Sequence, residues 1–357
     1  MLPWLREHFG NPSSNHVYGH RAREAVVNAR QQVAALIGCV PQEIYFTSGG
    51  TESNNLAIRG IAAARPGRRH IVTSVIEHPA TLEPCNYLAG QGYDISRTGV
   101  DSYGMVSLDE IEAALSEATA LVTIMHANSE TGTLQPIRKI AAAAHERGAL
   151  MHTDAAQTTG KIAYGVDELG VDLLSIVGHK MYAPKGIGAL YVRSGISIEP
   201  QSLGGGHEQG LRSGTENVPY IVGLGQACEI ARVDGESVNE NIRQLRDELW
   251  HGLINEIPGL VLNGHLEKRL PNTLNLRFPG VSGNAILANA PEIAASTGSA
   301  CHAEDESASA VIRAMGLSES EALGSVRLAL GRSTSADDIN TALKFLLQAY
   351  RVVSARN

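Results

Sequence analysis

Between residues 21 and 37 apolar side chains fall at Ala22, Ala25, Val26, Ala29, Val33, Leu36 and Ile37. That three-and-four spacing predicts a helix with one buried stripe, and Gly38 is placed to end it. Beyond it the pattern changes to short continuous apolar runs at 44–47, 71–75, 120–125, 149–153, 173–177 and 188–192. Runs this short and this apolar predict strands buried on both faces. Amphipathic stretches at 51–64, 79–89, 107–117 and 137–147 separate them. The alternation predicts an α/β fold, a mainly parallel sheet with helices on both faces. After residue 230 the texture shifts. A long polar helix over 237–257, strands near 259–262, 273–277 and 325–330, and a last helix at 336–352 predict a smaller α+β domain. The expected division is a large domain over 11–230 and a smaller one over 231–357.

The chain has 357 residues, enough for two such cores, and its 37 glycines suit a fold with many tight strand–helix turns. A net charge of −8 with no block of Lys or Arg argues against a nucleic-acid or membrane surface. No apolar run approaches the ~18 residues of a membrane helix, and the opening MLPWLREHFG does not read as a signal peptide. Cys39, Cys85, Cys228 and Cys301 lie far apart with no CxxC pair, so neither a disulfide framework nor a metal site is expected. A reducing cytoplasm fits that usage.

Chemistry-bearing residues fall where strands end, the place where α/β sheets gather active groups. Lys180 follows the run 173–177, where partial desolvation would make its amine a Schiff-base nucleophile; a solvated surface lysine is the commoner outcome for such a position. Gly49-Gly50-Thr51 leads from a strand into a helix, and bare amides there attract phosphate, although an ordinary turn capped by Thr51 has the same look. Asp154 ends another run, with Gln157 three residues on; it suits a protonated ring nitrogen, or simply caps a helix. His78 is placed to stack on a planar ligand or shuttle protons, or to be a polar loop residue. The loop GGGHEQGLRSGTEN, 204–217, is too long for a simple turn and carries Arg212 and Thr215. Cys301 lies in the small, polar segment STGSACHAEDESASA after a predicted strand IAAS, beside His302, an accessible setting for a reactive thiol. The other three cysteines lie in apolar helical contexts, where packing explains them.

A phosphate cradle, a ring-stacking histidine, a strand-end carboxylate and a strand-end lysine together suit pyridoxal 5′-phosphate (PLP). The chain resembles the cysteine desulfurases of the class V aminotransferase family over nearly its whole length. The matching stretches are GNPSSNHVYGH (10–20), TSGGTESNN (47–55), EHPA (77–80), MHANSETG (125–132), HTDAAQ (152–157), GHKMYAPKGIGALYV (178–192), GGGHEQGLRSGTEN (204–217), STGSACHA (296–303) and SVRLALGRST (325–334). The resemblance implies a fold-type I PLP-dependent transferase with a seven-stranded sheet, acting as a homodimer. It implies conversion of L-cysteine to L-alanine, with the sulfur passing to Cys301 as a persulfide. Carried over by motif, Lys180 holds PLP as a Schiff base, Asp154 pairs the pyridinium, Gln157 bonds the ring hydroxyl and His78 stacks on the ring. Gly50, Thr51, His179 and the partner subunit's Thr215 grip the phosphate. Arg327 clamps the substrate carboxylate, with Asn128 and Ser129 alongside. The long Cys301–Arg327 segment resembles the subgroup that hands sulfur to iron–sulfur scaffold and thiolation proteins.

The chain departs from the family pattern at three places. It starts after the usual opening strand, with residues 1–10 expected to join the smaller domain. Ser129 stands where the family has a second Asn, and Val177 where many members have a phosphate-binding Ser. The SIVGHK wording and Cys301-His302 resemble selenocysteine lyases, which share the fold. Three further readings therefore stay open: a selenocysteine lyase, an aminotransferase, and a non-catalytic scaffold of the same fold.

Overall fold

The computed structural model describes residues 1–298 and 308–356, so Cys301 and His302 lie outside the described residues. The chain forms two compact units. The first holds Met1–Thr98, Leu108–His126 and Pro136–Glu236; the second holds Gly99–Ser107, Ala127–Gln135 and Ser237–Asn357. This differs from the expected division. Residues 1–10 belong with the first unit, and the second unit takes two stretches from the middle of the chain.

In the first unit, a seven-stranded sheet is formed by β1 (Ile44–Thr47), β2 (His70–Ser74), β3 (Asp94–Thr98), β4 (Thr119–Thr123), β5 (Leu150–Asp154), β6 (Leu173–Val177) and β7 (Gly188–Val192), in the order β1-β7-β6-β5-β4-β2-β3. Neighbours from β3 across to β6 run parallel, and β7 is antiparallel to both β6 and β1. Five strands are buried at every residue, which is why they read as unbroken apolar runs. The edge strand β3, DISRT, is half exposed and polar, so no apolar run announces it.

The helices of this unit are α1 (Leu2–Arg6), α2 (Val17–Ile37), α3 (Gly50–Ala64), α4 (Pro79–Gly90), α5 (Leu108–Ala114), α6 (Ile137–Glu146) and α7 (Val166–Leu169). Gly38 closes α2 at φ 72, as its position predicts. Along α3, Leu56, Ile58 and Ile61 share one core with Ile71, Leu121, Leu150, Leu173 and Leu190. By strand alternation Val122, Met151 and Leu174 face the other way, and they too are buried.

Helix α8 (Val218–Glu256) begins well before the expected start at 237. Glycines hide its first half from a pattern search. A Cβ on Gly225 would lie 2.7 Å from Ala29 Cα, so this glycine lets α8 press against α2.

In the second unit, β8 (Val261–Asn263), β9 (Thr273–Arg277) and β10 (Ser325–Ala329) form an antiparallel sheet with β9 central. Its apolar face packs with Leu245, Leu249 and Leu253 of α8 and with Ile339, Leu346 and Val353 of the helix over Ala336–Ser354. The expected strand IAAS is not one: residue 296 makes an isolated bridge to Arg327.

Candidate functional site

Parallel pairing sets the first unit's cluster. β5 ends on Asp154, which lies opposite Ser175 of β6, and β6 runs on into one turn of 3-10 helix, Gly178–Lys180. Adjacent strands are about 4.8 Å apart, so Asp154 and Lys180 leave the sheet at the same edge. His78 follows the end of β2, next to the point where the strand order reverses between β2 and β4.

Asp154 is oriented from two sides. Asn54 Nδ2 donates to its Oδ2 at 2.7 Å, and the Ala156 N–H donates to its Oδ1 at 2.9 Å. Asn54 stands on the buried face of α3 and also donates to Thr81 Oγ1 at 3.1 Å. His78 caps α4, its Nδ1 accepting from the Ala80 N–H at 3.0 Å, so a proton on the neutral ring sits on Nε2. Partial burial holds the His78 imidazole below the usual histidine range; Asp154 opposes that fall and Lys180 adds to it. His179 is lowered in the same way by burial and by Lys180 and Lys185.

Beneath His78, Glu77 is buried between Ser74 Oγ, donating at 2.7 Å, and the Met125 N–H, donating to both carboxyl oxygens at 3.0 Å. Burial pushes this carboxyl up to about 8, with Asp154 adding to the rise.

The start of α3 is bare. Gly49 stands at its N-cap with φ 147 and no side-chain cap, and Gly50 is the first helical residue. A Cβ on Gly50 would sit 2.5 Å from Val177 Cγ2, so the glycine backbone lies directly on the end of β6. Uncapped first-turn amides of a helix this long favour an anion. Thr51, His179 and Thr215 are exposed, and Gln157 is half-buried with Lys161 Nζ donating to its Oε1 at 3.4 Å. The loop carrying Thr215 is anchored through Glu208, which pairs with Arg30 by two 2.7 Å contacts and accepts from the Phe46 N–H at 2.9 Å. Arg212 of the same loop pairs with Glu52 in the first turn of α3 at 2.8 Å.

In the second unit, Arg327 on β10 donates to the Ser129 carbonyl at 3.3 Å and to Ser296 Oγ at 3.0 Å. Asn128 Oδ1 closes its own turn, accepting from the Glu130 and Thr131 N–H groups at 2.8 and 3.0 Å. That turn rests on a buried polar ladder across the sheet. Asn275 Nδ2 donates to the Glu130 carbonyl at 3.1 Å, and Asn263 Nδ2 donates to Asn275 Oδ1 at 2.9 Å and to Ser325 Oγ at 3.0 Å.

Sequence reasoning named Gly50, Thr51, His78, Asp154, Gln157, His179, Lys180 and Thr215, all of the first unit, and Asn128, Ser129 and Arg327 of the second. It missed Asn54, Glu77, Lys161 and Ser296. Asn54 had a signal, a polar residue in the apolar stripe of its helix. Lys161 meets Gln157 four residues back, across a turn the hydrophobic pattern does not announce, and Glu77 and Ser296 depend on the distant partners Met125 and Arg327.

This fold class is that of the fold-type I PLP-dependent transferases. Residues 1–341 match the family model described as aminotransferase class-V. A curated cysteine desulfurase of Nostoc sp. is 47% identical over 348 residues, covering 97% of this chain and 87% of its own length. A solved structure titled NifS-like protein superposes with a TM-score of 0.92 at 37% identity, covering 99% of this chain and 94% of its own. Another, titled SspA in complex with cysteine, gives a TM-score of 0.82 at 38% identity, covering 93% of this chain and 94% of its own. The chain belongs to the class-V aminotransferase family.

Proposed function

We propose that the protein is a PLP-dependent cysteine desulfurase, taking L-cysteine to L-alanine and leaving the sulfur as a persulfide on Cys301. The observation that carries this reading is the pairing of Asp154 and Lys180 at the ends of adjacent parallel strands, beside the uncapped start of α3. The residues present fit the cofactor. The bare α3 amides with Gly50, Thr51 and His179 suit its phosphate, Asp154 its ring nitrogen, Gln157 its ring hydroxyl and the Lys180 amine its aldehyde. When bound, the group supplies an electron sink for charge developing at the substrate's Cα.

The protein's own residues do the rest. Asp154, fixed by Asn54 and Ala156, holds one orientation toward the ring nitrogen. His78 keeps its Nδ1 engaged in the cap, so its imidazole would stack on the bound ring with Nε2 left for proton transfer. The Arg327 guanidinium binds the substrate carboxylate, the fork geometry matching two oxygens. The Cys301 thiolate attacks the substrate sulfur, and an S–S bond forms as the carbon–sulfur bond breaks. The electron pair of the broken bond leaves with the carbon, which takes up a proton to become the methyl of alanine, and Cys301 keeps the sulfur as a persulfide. Burial pushes the thiols of Cys39, Cys85 and Cys228 up to about 12, which removes them as rival thiolates near neutrality.

The same reading makes the active form a homodimer, with the partner subunit's Thr215 completing the phosphate site. It passes sulfur to an acceptor protein of iron–sulfur assembly or thiolation, in the cytoplasm.

The test is mass spectrometry of the protein after incubation with L-cysteine. One added sulfur on Cys301, absent in Lys180→Ala, is expected. An adduct on Cys39, Cys85 or Cys228 instead, or alanine production undiminished in Cys301→Ala, overturns the reading.

A further inference from the structure

After β5 the chain coils tightly. The Thr158 and Thr159 N–H groups both donate to the Ala155 carbonyl, at 3.1 and 3.0 Å, and the Lys161 N–H donates to the Thr158 carbonyl at 2.9 Å. Gly160, at φ 76, makes the turn that brings residue 161 back over residue 157. Lys161 Nζ then donates to the Gln157 carbonyl at 3.1 Å and to its side-chain Oε1 at 3.4 Å. An ammonium offers only hydrogens, so the side-chain atom facing it must be the amide oxygen. The Gln157 NH2 is thereby turned the other way.

We propose that Lys161 is a positioning residue for the cofactor: it clips Gln157 so that the amide presents its NH2, as a donor, to the ring hydroxyl oxygen. The inference rests on Gln157 facing that hydroxyl, as proposed above. Left alone, the amide can flip and offer either end. A donor matched to an ionised ring oxygen gains a charge-assisted hydrogen bond, whereas the flipped amide sets oxygen against oxygen. The surroundings agree. Burial, with the positive charge of Lys180 adding to it, brings the Lys161 amine down to about 8, so this second amine lies within the field of Lys180.

The experiment titrates full-length apoprotein with PLP and with its 3-O-methyl ether, which lacks the ring hydroxyl proton and cannot ionise there. Binding is read from the visible band of the bound cofactor and from displacement at equilibrium. Lys161→Met is expected to weaken PLP about tenfold, the scale of one lost charge-assisted contact, and to leave the ether unchanged. Gln157→Ala is expected to do the same, and the double variant to be no weaker than Gln157→Ala alone. Rescue by Lys161→Arg, which keeps the donors, is expected in part. Equal weakening of both ligands by Lys161→Met, no weakening at all, or additive effects in the double variant overturns the inference. If Gln157→Ala discriminates between the ligands and Lys161→Met does not, Lys161 alone loses its role. If Gln157→Ala fails to discriminate, Gln157 does not read the hydroxyl and both statements fall. Should Lys161→Met not fold, Lys161→Gln, too short to reach residue 157, takes its place with the same readings.

Discussion

The two polar clusters are built on opposite plans. In the first unit, Asp154 is locked by groups of the protein itself, and the start of α3 is shaped by backbone lying on a strand end. In the second, the Arg327 guanidinium holds one carbonyl and one hydroxyl, neutral partners that an incoming carboxylate can replace. A site that keeps its ligand through many turnovers profits from preformed contacts. A site that must admit and release substrate each cycle profits from exchangeable ones. The pair teaches which kinetic constant each cluster should govern.

The largest expected effect breaks the comparison most directly. Asp154→Ala should lower kcat by about a thousandfold with little change in KM for cysteine, because it removes an interaction felt mainly in the transition state. Arg327→Ala should instead raise KM by about a hundredfold or more, the scale of a lost charged pair. Steady-state alanine production on PLP-saturated variants separates the two. Equal changes in kcat and KM for both would mean the clusters do not divide the work.

The next effect concerns what lies beneath each cluster. Under the first lies a buried acid, Glu77, raised to about 8; under the second lie Asn263, Asn275 and Ser325, which carry no charge. The native Glu77 keeps its proton where the unfolded chain has lost it. The stability it contributes is therefore complete below the ordinary carboxyl range and is lost as pH rises through about 8. Glu77→Gln should flatten this fall between pH 5 and 9, a difference of several kcal/mol at the alkaline end, read from urea midpoints. Asn275→Leu should lower stability by about 2 kcal/mol at every pH, since it takes one acceptor from the buried Asn263 amide, which keeps Ser325, and the side-chain donor from the Glu130 carbonyl. A pH-dependent loss in Asn275→Leu would erase the distinction.

The two regions also differed in how far they could be read from the chain. The parallel sheet was legible because Leu173–Val177 and its like are buried on both faces, and burial leaves no room for polar residues. Asp154 and Lys180 were legible only in combination, since each alone reads as readily as a helix cap or a surface lysine, and the ends of neighbouring strands put both at one edge of the sheet. The edge strand Asp94–Thr98 was not, since its exposed positions carry polar side chains. Ser296 was mistaken for part of a strand IAAS, though only its isoleucine favours one, and its place is decided by the contact with Arg327. Glu77 is hidden for another reason. A carboxylate reads as surface, and only the fold reveals Ser74 and Met125 closing over it.

The smallest effect sharpens the claim that the first cluster is preformed. At 177 the chain carries Val, where the family resemblance leads one to expect a serine, and Val177 Cγ2 fills the space beside Gly50. Val177→Ser would exchange that methyl contact for a hydroxyl at the first turn of α3. Loss of buried carbon should cost about 1 kcal/mol of stability, and one added donor to phosphate should tighten PLP about fivefold. Urea midpoints of the apoprotein measure the first and PLP titration the second. Because the hydroxyl reaches only a ligand at the α3 start, tighter PLP with unchanged KM for cysteine would tie the gain to the phosphate. An unchanged PLP affinity would mean that the amides of Gly50 and Thr51 already saturate the phosphate oxygens. The methyl would then serve packing alone, and the valine would carry no cost in cofactor retention.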